Sequence, residues 1–159
     1  MKSFRRIAPI LAVTFLGTFL GVISLQATGQ DATPIISHAW VKTTVPGSRV
    51  SAAYMSIKST KPLKLVKAET TVAGIAEIHN MTMKDGVMEM KAELAFNVPA
   101  GKTIELKPGG MHIMLMQVAK PIKAGDKVPL KLTFDTGGGN SRVVNVEAIA
   151  RAQSAHHAH

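Results

Sequence analysis

The chain has 159 residues, a net charge of +9 and 46% apolar residues, which suits one domain with a packed core and excludes disorder for the bulk of it. It has no cysteine, which excludes a disulfide scaffold, thiol redox chemistry, a cysteine-based zinc site and a blue-copper centre. Lys2, Arg5 and Arg6 lie in the first 29 residues, and the remaining +6 is spread without a block among only four aromatics, Trp40, Tyr54, Phe96 and Phe134, a poor composition for binding nucleic acid.

Residues 1–29 read as a signal peptide: a basic start precedes an uncharged stretch from Ile7 to Leu25. Cleavage after Ala27 or after Gly29 fits the small-residue rule, the second better. The competing reading is an uncleaved anchor, which Gly17, Gly21, Thr14, Thr18 and Ser24 make weakly apolar. Either way the remainder is expected outside the cytoplasm, in the periplasm, where a cysteine-free chain tolerates oxidising conditions.

Residues 30–151 form the expected domain. Ile36, His38 and Trp40 alternate with Ser37, Ala39 and Val41, so His38 is expected to be structural on Trp40's face. Pro46-Gly47-Ser48 breaks the chain before a second alternating run, Ala53 to Lys58. Leu63–Leu65 and Ile75–Ile78 carry further short strands. Pro99-Ala100-Gly101 and Pro108-Gly109-Gly110 are turns around Thr103–Leu106. Strands at Met111–Val118, Val128–Phe134 and Val143–Ile149 follow, the last two separated by Gly137-Gly138-Gly139-Asn140. Eight or so strands without a capped helical stretch predict an all-β, antiparallel sandwich or Greek-key barrel. Residues 152–159 are expected to be a flexible, His-rich tail.

Seven of the nine methionines lie between positions 81 and 116, with His79 and His112 in or beside the same window. Asp85-Gly86 predicts a two-residue type I′ hairpin turn. That turn sets Lys84 opposite Val87, Met83 opposite Met88, Met81 opposite Met90 and His79 opposite Ala92. His79, Met81, Met83, Met88 and Met90 then share one face, and His112 and Met114 share a face of their own strand. Soft, neutral thioethers with neutral imidazoles suit Cu(I), whereas zinc, calcium and magnesium prefer thiolate or carboxylate. The alternative is a non-metal interaction or adhesion module whose methionines fill the core. Spacing alone leaves both readings open. No triad, carboxylate pair or zinc-water motif suggests an enzyme.

The window resembles the periplasmic copper chaperone family PCu(A)C, with motif H-x10-M-x21-H-x-M: His79, Met90, His112 and Met114 stand at all four positions. Glu77-Ile78-His79, Gly86-Val87-Met88-Glu89-Met90-Lys91 and Pro108-Gly109-Gly110-Met111-His112-Ile113-Met114 carry the resemblance, which runs from about Ala39 to about Val146. It implies a cupredoxin-like Greek-key β-sandwich that binds Cu(I) through those two His and two Met. It also implies delivery of copper to a respiratory oxidase, the copper-site subunit of cytochrome c oxidase, alongside Sco-type thiol proteins. An optional Met directly after the first His is Asn80 here, with Met81 next, which leaves Met81 an auxiliary candidate. His156, His157 and His159 in the tail offer imidazole only and are auxiliary candidates for Cu(II).

Overall fold

The computed structural model describes residues 33–153. The expected signal segment, its cleavage site and the tail histidines lie outside the described residues. The described chain forms ten strands: β1 (Ile35–Lys42), β2 (Val50–Lys58), β3 (Leu63–Thr70), β4 (Ala73–Lys84), β5 (Val87–Glu93), β6 (Phe96–Val98), β7 (Thr103–Leu106), β8 (His112–Val118), β9 (Lys127–Gly137) and β10 (Asn140–Arg151). There is no helix among the described residues.

The strands hydrogen-bond along one path, β5-β4-β8-β2-β1-β10-β9-β3-β6, with β7 also on β2. The path folds over on itself. Ala53, Met55 and Ile57 of β2 and Ile113 and Leu115 of β8 join Leu65 of β3, Leu130, Leu132 and Phe134 of β9 and Ala148 of β10 in one buried cluster. This is the expected all-β sandwich, and β9 shows why the sequence builds it: Val128, Leu130, Leu132 and Phe134 recur every second residue and all four are buried.

Three details differ from the expectation. There are ten strands rather than about eight, because the second arm of the hairpin, β5, and the short β6 add to the segments read from alternation, while the Ile75–Ile78 segment and the first arm of the hairpin form the single 12-residue β4. The pairing is not wholly antiparallel: β1 runs parallel to β10 where the path passes between the two layers. The alternation in β1 fails at His38. A register shift between Ser37 and Trp40 and a φ of 53° at His38 mark a β-bulge, so His38 is exposed and does not share Trp40's face.

The β4–β5 hairpin has the register set by its turn. Asp85 and Gly86 both have positive φ, 50° and 78°, and all four expected pairs are present, from Lys84–Val87 to His79–Ala92. On its other side β4 pairs with β8 from Ala73–Val118 to His79–His112 and no further. The segment from Asn80 to Lys84 therefore projects past β8, bonded only to β5.

Paired residues share a face of the sheet. Ile78, Ile113 and Ala53 point into the core, so His79, His112 and Tyr54, one step along, point outward. Methionine is not the core material: Met55 is buried and Met111 packs partly against the cluster, while Met83, Met88 and Met90 are 65%, 48% and 44% exposed. A Met-rich core is thus not what the window builds.

Candidate metal centre

The outer face of β4, β8, β2 and β1 carries a row of rings. His79 and His112 are direct cross-strand partners with ring centroids 5.9 Å apart. Tyr54 lies 6.2 Å beyond His112, and Trp40 lies 4.4 Å beyond Tyr54. The Arg151 guanidinium caps the row, 4.2 Å from the Trp40 ring centre. This packing explains how a histidine on the side of the sheet away from the core is only 4% exposed at position 112. Burial also pushes the Tyr54 phenol above its ordinary value, so it stays neutral beside the histidine.

Each imidazole is held by one nitrogen. His112 donates Nδ1–H to the Gly110 carbonyl at 2.9 Å, which leaves Nε2 with its lone pair. His79 donates Nε2–H to Glu77 Oε2 at 3.0 Å, and its Nδ1 is buried with no hydrogen-bond partner. A buried, unsatisfied ring nitrogen costs on the order of 1–3 kcal/mol in a folded protein. Fixing one nitrogen by a carboxylate or carbonyl while the other stays bare is the arrangement that outer-shell groups impose on metal-binding histidines.

The methionines flank this pair in the strand register. Met90 is opposite Met81 and one diagonal step from His79. Met114 follows His112 by two residues and is opposite Glu77. Met81, Met90, His112 and Met114 line one open cleft of about 420 Å³, floored by Ala52 and Tyr54 and edged by Lys42 and the Pro108-Gly109 turn. Among the described residues no three His, Cys, Asp or Glu are grouped so that they could hold a metal ion by themselves. The donor set is therefore imidazole and thioether, a soft and neutral one that fits Cu(I) and does not fit zinc, calcium or magnesium.

A family model described as LpqE-like matches residues 35–146. The chain belongs to this family, that of the PCuAC domains. Protein Lxx21020 of Leifsonia xyli subsp. xyli is 35% identical over 133 residues, 81% of this chain and 79% of its own length. Among solved structures, the apo PCuAC domain from PmoF1 superposes with a TM-score of 0.63 at 23% identity, over 77% of this chain and 98% of that domain. The Cu(I) form of DR1885 from Deinococcus radiodurans gives 0.58 at 32% identity, over 82% and 87%. In this PCuAC chain the four motif residues lie on one face of the sheet, with Met90, His112 and Met114 lining the cleft and His79 opposite His112 but outside the cleft lining, although 35 positions separate the first from the last. Periodicity and motif spacing do not point to Glu77, Tyr54 or the Gly110 carbonyl. Glu77 has a local signal all the same, since a residue two before His79 shares its face. Tyr54 has none, because only the β2–β8 pairing brings it to His112.

Proposed function

We propose that this protein is an extracytoplasmic Cu(I) chaperone, with His79, Met90, His112 and Met114 as the ligands of one copper ion. The observation that carries the reading is the pair of facing imidazoles with their ring nitrogens sorted. One nitrogen of each is tied to protein, Nε2 of His79 to Glu77 and Nδ1 of His112 to Gly110, and the other, Nδ1 of His79 and Nε2 of His112, has no protein partner. Membership of the PCuAC family and the likeness to the Cu(I) form of DR1885 support the same ion. Four neutral ligands leave the single charge of Cu(I) uncancelled, and none needs to take up a proton as the ion leaves. Such a site holds the ion selectively yet yields it to a competitor with thiolates. A copper-site subunit of a respiratory oxidase, served together with a Sco-type thiol protein, is the acceptor that the family resemblance implies. His156, His157 and His159 would add a separate place for Cu(II).

The test is a titration of the apo protein with Cu(I) against a competing chelator, followed by mixing with the reduced copper-binding domain of an oxidase subunit. One tight equivalent should bind and then pass to the acceptor. Absence of a tight equivalent would refute the chaperone reading, and retention in the presence of excess acceptor would refute the oxidase as destination.

Glu77→Gln tests the orienting role. The amide can still accept a hydrogen bond but brings no charge, so the His79 ring is held less firmly. Cu(I) affinity should fall by about tenfold, at the lower end of what outer-shell replacements cost, with the unfolding midpoint little changed. An unchanged affinity would show that Glu77 is only a surface partner of the ring.

A further inference from the structure

The four-ligand site uses one methionine of the projecting hairpin and leaves three. Met83 and Met88 are direct partners at the hairpin's outer end, and Met81 and Met90 are partners one step inward. In a two-residue hairpin the pair next to the turn is hydrogen-bonded, so Met83–Met88 and Met81–Met90 both fall at non-hydrogen-bonded positions, where facing side chains come closest. All four are on the face that carries His79. The charged hairpin residues Lys84, Glu89 and Lys91 alternate with them and lie on the opposite face. β8 does not cover this segment, and Met83 and Met88 remain 65% and 48% exposed. An exposed run of thioethers without a charge among them is a poor solvent-facing surface and a good soft-metal one.

We propose that Met83 and Met88, with Met81, form a second and weaker Cu(I) site at the outer end of the β4–β5 hairpin, which exchanges the ion with the four-ligand site through Met90. The exchange is ligand substitution alone. A Cu–S bond to Met83 or Met88 breaks as a bond to Met90 and then to the two imidazoles forms. The copper stays Cu(I) and no proton moves, because every donor is neutral. The gradient runs from sulfur only to sulfur plus nitrogen, so the ion settles inward on loading. In release, the hairpin is where an acceptor's ligands reach it first. The direction of this relay rests on the proposed function, whereas the existence of the outer site does not.

The experiment follows the methionine methyl resonances of the protein, labelled at those methyls with ¹³C, during titration with Ag(I), a soft ion that does not change oxidation state, and then with Cu(I) under reducing conditions. During the first equivalent the Met90 and Met114 methyls should shift. Between the first and second, the Met83 and Met88 methyls should shift. The Met83→Leu, Met88→Leu double variant should lose the second set and keep the first, with folding preserved because leucine conserves volume. Met83 and Met88 signals that stay still through two equivalents overturn the outer site, including the case in which the second equivalent binds elsewhere on the chain, and they leave the four-ligand site untouched. Shifts at Met83 and Met88 with none at Met90 or Met114 would instead overturn the four-ligand site and the relay together.

Discussion

Replacing Met90 and Met114 together by leucine should lower Cu(I) affinity by more than 100-fold while leaving the fold intact. Two of the four proposed donors disappear, whereas loss of a single outer-shell partner already costs about 10–100-fold. The substitution conserves volume and apolarity, and both residues lie on the outward face, Met90 being 44% exposed. Stability should therefore change by less than about 1.5 kcal/mol. His79 and His112 would persist as two imidazoles beside each other, so residual binding should be weaker and less selective for Cu(I) over Cu(II). Chelator competition on the wild type and the double variant measures the first quantity, and denaturant midpoints measure the second. An affinity within threefold of wild type would remove these two sulfurs from the ligand set.

Phe134→Ala should give the largest loss of stability. Phe134 is fully buried on β9, between its register partners Leu65 on β3 and Arg142 on β10, and it belongs to the cluster that joins the two layers. Truncating a buried phenylalanine removes the transferred surface and leaves a cavity, at a cost of about 3–5 kcal/mol. A domain of this size is stabilised by about 5–15 kcal/mol, so the variant sits near the threshold of folding. Urea unfolding of the apo protein should show a lower midpoint at a similar slope. Cu(I) should recover part of the loss, since an ion that binds only the folded state adds stability as its concentration exceeds the dissociation constant. A loss below 1 kcal/mol would mean that the layers close over the vacated space.

The sequence alone determined whatever rests on local geometry. Asp85-Gly86 supplies two adjacent positions that accept positive φ, and a two-residue turn admits one register, so the opposition of Met81 to Met90 and of Met83 to Met88 follows from the residues of the hairpin themselves. Period-2 burial likewise makes β9 readable, and the motif spacing selects the four residues proposed as copper ligands. The tertiary structure alone decided what depends on pairing between distant segments. Periodicity cannot say which face of a strand meets the core when both carry apolar side chains. Methionine as ligand and methionine as filler are therefore equivalent in the sequence, and they separate only because Ile78, Ile113 and Ala53 fill the interior. The β4–β8 pairing, which brings His79 against His112 across 33 positions, has no local signature either. The same holds for the parallel β1–β10 contact and for Tyr54 beside His112. The β1 bulge defeats the alternation argument at His38 because one extra residue inverts every face beyond it. Which nitrogen of each imidazole stays bare is also beyond the sequence, since a ring's tautomer follows from the partner its other nitrogen finds: the Glu77 carboxylate for His79 and the Gly110 carbonyl for His112.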